Sequence, residues 1–288
     1  MIGLDPLLEI IETALYTAYL QGTIPSSVIL IGPSGGGKSK TIMQYKQTVG
    51  CHLTNDITSS GLLESLADDK DNKLHFFIVP DFNVVLSHKA ATLQLTIANL
   101  LSVTSEGTVR IDDGRVKKET KHDPVGILTA MTRELYEHVA RKWQVLGFQR
   151  RFLPLYFEYG LETRLKIQNS ISQGATTLLQ LAPRNINPPA SIQNVDCNSS
   201  ASKIQLLSDE LATNIGYIPV RGKQAGTGGF KAKTAFIGKQ LEFSPHLALR
   251  SFARAHALRD RRTEVNEKDL DFLVKMLSFT RFDRPGVL

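Results

Sequence analysis

Apolar residues follow two rhythms along the first 160 positions of the chain. Near the start, Leu7, Leu8, Ile11, Leu15 and Leu20 recur at helical spacing, so an amphipathic helix packed on the body is expected. Asp5, Glu9 and Glu12 interrupt this stretch, and it has no basic lead or small-residue cleavage site, so it does not read as a signal peptide. Short β-rich runs then alternate with helical ones. Strands are expected at 27–31, 51–54, 74–79, 107–111, 125–128 and 153–159, and helices at 38–47, from 61 to 66, at 87–103 and at 134–145. The run LHFFIV at 74–79 is apolar without a break, as in a strand buried on both faces. The run at 107–111 ends in Asp112-Asp113-Gly114-Arg115, a hairpin signal.

Beyond residue 160 the rhythm changes. Residues 161–174 read as a helix. Residues 183–200 hold three prolines, four asparagines and three serines and read as a linker. Residues 206–215 are helical, and 221–233 form a Gly/Lys-rich stretch without periodicity, expected to be an irregular loop that includes Gly226-Thr227-Gly228-Gly229. Residues 244–277 read as two helices joined at 262–265, the second opened by Asn266 with Asp269 three residues on, a capping-box start. The expectation is an α/β fold: a parallel-sheet nucleotide domain over residues 1–160 and a mainly helical lid over 161–288 with an irregular basic insertion.

Composition narrows this only slightly. Of 288 residues, 42% are hydrophobic and 22% charged, which excludes a disordered or fibrous chain. Cys51 and Cys197 cannot build a disulfide framework, and no run approaches about 18 apolar residues, so a reduced cytoplasmic protein without membrane contact is expected. The formal charge is +6, from 34 Lys+Arg and 28 Asp+Glu. Residues 220–262 carry Arg221, Lys223, Lys231, Lys233, Lys239, Arg250, Arg254, Arg259, Arg261 and Arg262 against Glu242 and Asp260, ten positive charges against two negative, with Phe230 and Phe236 among them. Such a stretch suits phosphate contact with base stacking, and equally a solvated lid face. Arg115, Lys117, Lys118 and Lys121 put a second basic group on the expected hairpin.

The sharpest chemistry is local. Gly32-Pro33-Ser34-Gly35-Gly36-Gly37-Lys38-Ser39 fits the phosphate-loop pattern in full, between an expected strand and an expected helix. Its glycines let consecutive N–H groups cradle a β-phosphate, Lys38 reaches the β- and γ-phosphates, and the Ser39 hydroxyl ligates Mg²⁺. A second acid should come from the end of a later strand, and Asp81 follows the apolar run at 74–79; its other reading is a turn aspartate capping the next segment. Pro80 intervenes, and Phe82 stands where a water-polarising glutamate would follow, so hydrolysis is slow or another group is the base. Asn83 is near, but an amide can orient water without accepting its proton.

With those motifs placed, the chain resembles the AAA+ ATPases, in the branch of MoxR-like chaperones and minichromosome-maintenance helicases. The resemblance rests on three further stretches and covers all but about 175–243. Residues 106–114 with 126–132 are similar to a hairpin before a sensor strand, which implies Thr132 as the γ-phosphate sensor with Thr129 as fallback. Residues 147–153 are similar to the Arg-Phe motif, which implies Arg151, helped by Arg150, as a finger entering the neighbouring subunit's site. Residues 253–270 are similar to the helicase lid, where Arg250 is a candidate second sensor although Ser244 falls nearest the family position. The resemblance implies ATP and Mg²⁺ bound between subunits of a homo-oligomer, expected as a hexameric ring. The basic stretch and lid favour DNA as the partner; a remodeller of protein assemblies and a slow-turnover ATP-dependent scaffold are the alternatives.

Overall fold

The computed structural model describes residues 3–112, 117–148, 151–172, 182–223, 230–237 and 244–288. Its centre is a strand with no exposed residue, β1 (Ser27–Gly32). Two strands from much later in the chain pair with it in parallel: β6 (Gly126–Thr132) on one side and β7 (Phe152–Glu158) on the other. Outside β6 lie β3 (Phe76–Val79) and β2 (Cys51–Leu53), and outside β7 lies the short β10 (Gly286–Val287). The resulting six-stranded sheet is parallel throughout, in the order β10-β7-β1-β6-β3-β2.

Alternate side chains of these strands enter two cores, which is why the strands read as unbroken apolar runs. Val28 and Leu30, Phe76 and Ile78, and Leu128 and Ala130 face one layer; Ile29 and Ile31, Phe77 and Val79, and Ile127 and Met131 face the other. The first layer holds α1 (Asp5–Tyr16), α2 (Lys38–Met43), α8 (Ala201–Asn214), α9 (Ser244–Arg259) and α10 (Glu267–Leu277). The second holds α3 (Ser59–Asp68), α4 (Phe82–Leu86), α5 (Ala90–Glu106) and α6 (Arg133–Val145). The remaining helix, α7 (Leu161–Ser172), follows β7 and leaves Leu161 and Leu165 exposed.

Several expectations are revised. The helix expected over 38–47 is regular only through Met43; Tyr45, Lys46 and Thr48 then donate to carbonyls three residues back, a tighter 3₁₀-type continuation. The hairpin forms as β4 (Thr108–Asp112) and β5 (Lys117–Lys121), with its tip, including Arg115, outside the described residues. The stretch at 221–233 lies largely in strands: β8 (Tyr217–Lys223) and β9 (Phe230–Phe236) make a seven-pair antiparallel ladder. Gly226–Gly229 and Lys239 lie outside the described residues. Contacts also run across residue 160. The C-terminal β10 joins the sheet through β7, and α1 packs on α9.

The lid side is organised around one buried carboxylate. Asp269 is fully buried and closes the expected capping box, accepting the Asn266 backbone N–H at 2.8 Å. It also takes both Arg262 terminal nitrogens at 2.6 Å and His256 Nδ1 at 2.6 Å. The His256 ring lies flat on Phe272, and its Nε2 faces Glu9 of α1 at 3.5 Å, so the cluster ties α1, α9 and α10 together. Burial pushes the Asp269 carboxyl up, but the Arg262, His256 and Asn266 hydrogen bonds outweigh it and hold the group at about 2.

An unfolded aspartate titrates near 3.9, so this contribution is fully present above about pH 4 and is lost as pH falls through about 2. Asp269→Asn should lower the unfolding free energy at neutral pH by about 3 kcal/mol. It should also flatten the acid limb of stability between those two pH values. Urea titrations across pH check both; parallel acid limbs in the two proteins would refute the assignment.

Candidate nucleotide site

In a parallel sheet with helices on both faces, ligands bind outside the carboxyl ends of the strands where the strand order switches. Here that point is β1, because the chain leaves it for the far edge at β2 and returns on both sides through β6 and β7. The glycine-rich loop emerges from β1 at this place. Gly35 and Gly37 take φ of +71° and +73°, a left-handed conformation that side chains disfavour. Gly32 has the flank of the Phe157 ring against it: a Cβ there would sit 2.8 Å from the ring. Tyr159, just past β7, donates its hydroxyl to Gly36 O at 2.7 Å and so fixes the loop from the side.

Lys38 opens α2 and is 7% exposed. Its ammonium donates to Gly32 O at 3.1 Å and Pro33 O at 2.6 Å. Burial lowers its pKa, and the carboxylates of Glu134 and Asp81 oppose that shift, Glu134 the more strongly. Ser39 follows Lys38 and is half-buried.

Asp81 arrives beyond the carboxyl end of β3. Its Oδ1 accepts the Asn83 backbone N–H at 3.0 Å and caps α4, the turn-aspartate arrangement, while its charge also acts on Lys38. The Asn83 side-chain oxygen is shielded from solvent and has no hydrogen-bond partner among the described residues. Phe82 is fully buried, edge-on to Trp143 and tilted against Phe148, which explains why no carboxylate occupies that position.

Thr132 is paired in register with Gly32 and therefore lies beside the start of the loop; its hydroxyl accepts the Leu135 N–H and caps α6. Thr129 is fully buried in mid-strand opposite Ile29, and its hydroxyl donates to Val79 O at 2.8 Å. Two residues past Thr132 stands Glu134, exposed in the first turn of α6. Sequence reasoning missed it. The available signal was an acid two places beyond a strand end that also caps a helix. Tyr159, expected as the end of the strand at 153–159, instead lies just past β7, and nothing in the sequence marks its hydroxyl as a partner of the loop.

Arg151 lies at the other end of the sheet. Ser27 is in register with Phe152, so Arg151 is separated from the loop by the length of β1, roughly 17 Å. It is exposed, and no geometry brings it to its own chain's Lys38. Arg150 lies outside the described residues. Arg250 is not brought to the loop: it donates to Cys197 Sγ and lines a cavity with Gln21–Thr23 that includes no loop residue.

Three of the ten basic residues of 220–262 are spent internally, and the side chains of five others, Arg221, Lys223, Lys231, Lys233 and Lys239, lie outside the described residues. Arg262 pairs with Asp269 and Asp260, Arg259 with Glu9 and Asp260, and Arg254 is buried. Arg250 and Arg261 are its exposed members on α9 and just beyond. On the hairpin, Lys118 and Lys121 are exposed, while Arg110 is paired with Glu119.

The oxygen donors Ser39 and Asp81 suit a hard divalent cation such as Mg²⁺, which takes one or two protein oxygens and completes its shell with phosphate and water. Among the described residues no group of three or more His, Cys, Asp and Glu side chains could hold a metal unaided, and this arrangement does not call for one. No family model matches the chain, and no curated protein is significantly similar to it.

The packing of Phe157 against Gly32 is testable without any ligand. Gly32→Ala should destabilise the fold by about 1–3 kcal/mol, since ring or loop must shift to admit the methyl group. Chemical denaturation measures it, and an unchanged midpoint would contradict the close approach.

Proposed function

We propose that the chain is an ATPase of the AAA+ kind, binding ATP and Mg²⁺ at the loop 32–39 and hydrolysing it between subunits of a homo-oligomer. The observation that carries this reading is the convergence of a complete phosphate loop, Thr132, Asp81 and Glu134 on one end of the sheet, with both carboxylates acting on Lys38. Mg²⁺, held by Ser39 and supported by Asp81, would neutralise charge on the phosphates. Glu134 supplies the carboxylate that Phe82 cannot, orienting water and accepting its proton. Thr132 stands beside Gly32 to sense the γ-phosphate.

The position of Arg151 supports a shared site. A guanidinium separated from its own loop by the length of β1 can act on phosphate only in a neighbouring copy, in a head-to-tail arrangement that closes into a ring or winds into a helix. DNA as the partner receives less support than the charge count suggested, because three of the basic residues point into the fold. Among the described residues no helix is long and apolar enough to cross a membrane.

Arg151→Ala and Lys38→Ala should each abolish hydrolysis, the first while retaining ATP binding. Mixing the two inactive proteins should restore measurable phosphate release, since one variant supplies intact loops and the other intact fingers. If the mixture is as inactive as its components, the finger does not act in trans. Glu134→Gln should lower kcat by about a hundredfold or more with little change in nucleotide affinity; wild-type turnover in that variant would remove Glu134 from the reaction.

A further inference from the structure

Arg250 and Arg254 lie one turn apart on α9, and both line a cavity of about 430 Å³ beside Gln21–Thr23, the segment that leads into the amino end of β1. The cavity is therefore separated from the phosphate loop by the length of the strand. The half-buried arginines among the described residues each have a carboxylate: Arg262 has Asp269, Arg259 has Glu9, Arg133 has Glu158 and Arg281 has Asp283. These two form no ion pair among the described residues.

Arg254 is 8% exposed and is held by neutral oxygens alone: Val195 O at 2.8 Å, Thr23 Oγ1 at 3.0 Å, Gln21 O at 3.2 Å and Asn194 Oδ1 at 3.5 Å. It is thus fixed in place without a carboxylate in ion-pair contact among the described residues. Arg250 donates Nε–H to Cys197 Sγ at 3.1 Å, and its two terminal nitrogens have no hydrogen-bond partner among the described residues. The one carboxylate in the lining, Asp196, accepts the backbone N–H of Asn198 at 3.0 Å. Two cations against one anion leave a surplus of one positive charge on a mostly polar wall.

We propose that this cavity is a second anion site, built for a phosphate group. Arg250 presents its planar fork to two phosphate oxygens, the geometry in which guanidinium binds phosphate best. Arg254 stands behind it as a fixed charge. The Ser251 hydroxyl, also in the lining, is committed to Leu247 O at 2.8 Å, so recognition rests on the Arg250 terminal nitrogens and the charge of Arg254. The phosphate is that of a free small molecule or a phosphodiester of a nucleic-acid backbone. The site is independent of nucleotide hydrolysis at Lys38.

The test removes the phosphate loop from the measurement. In a Lys38→Ala background, inorganic phosphate binding is followed by calorimetry in chloride buffer, and a short single-stranded DNA by fluorescence anisotropy at low and moderate salt. Arg250→Ala, an exposed change, should weaken phosphate binding by about tenfold. Loss of DNA binding in the same variant identifies a phosphodiester as the source; DNA binding that is absent or unchanged identifies a free phosphate. Arg261→Ala, which removes an exposed arginine outside the cavity, should leave phosphate binding intact. Phosphate binding that Arg250→Ala leaves unchanged, or that Arg261→Ala weakens equally, overturns the proposal.

Discussion

Parallel pairing on both sides of β1 is the constraint on which the rest of the molecule depends. A parallel neighbour cannot be reached by a tight turn, so β6 and β7 must each arrive by a long crossover. Those crossovers supply the helices that bury the two faces of the sheet. Because all strands point the same way, every strand's carboxyl end opens on the same side. Lys38 after β1, Asp81 after β3, Thr132 and Glu134 after β6, and Tyr159 after β7 therefore meet, although more than a hundred residues separate the first from the last. The same polarity puts Arg151, which precedes β7, at the opposite end of the sheet from the loop.

Burial decides what each charge can do. On the lid side, Asp269 collects an arginine, a histidine and a backbone N–H, and the arrangement fixes the angle between α9 and α10 while Glu9 draws in α1. A carboxylate with no exposed surface must be satisfied in this way, because leaving it unpaired would cost more than the ion pairs return. The consequence reaches function. Charges consumed in holding helices together are not offered to a partner, so a run of basic residues in sequence is a poor measure of a basic surface. What survives on α9 is an uneven pair, one arginine locked by neutral oxygens and one with its terminal nitrogens open.

The phosphate loop was legible in the sequence because every part of it is local. Eight consecutive residues contain the glycines, the lysine and the hydroxyl, and the strand and helix on either side are announced by their own periodicity. The central strands were legible for a similar reason, since burial on both faces produces continuous apolar runs, whereas the two-residue β10 carries no such run and was not expected. Other elements were not. The β8–β9 hairpin has neither an apolar run nor an alternating one long enough to read, and its ladder is made by cross-strand pairing that no single segment displays. The division at residue 160 followed a change of composition, whereas the fold sends its last strand back to the sheet across that line.

By itself, then, the sequence determined the α/β class, the glycine-rich loop that carries Lys38 and Ser39 between a strand and a helix, and the capping box at Asn266, each announced by local patterns. Only the tertiary structure decided that Glu134 shares the field of Lys38 with Asp81, that Thr132 rather than Thr129 stands beside the loop, that Phe82 belongs to the core, and that Arg250 faces a different cavity. Each of these depends on which strands lie side by side and in what register, and register is set by long-range packing of two cores, not by the order of neighbouring residues.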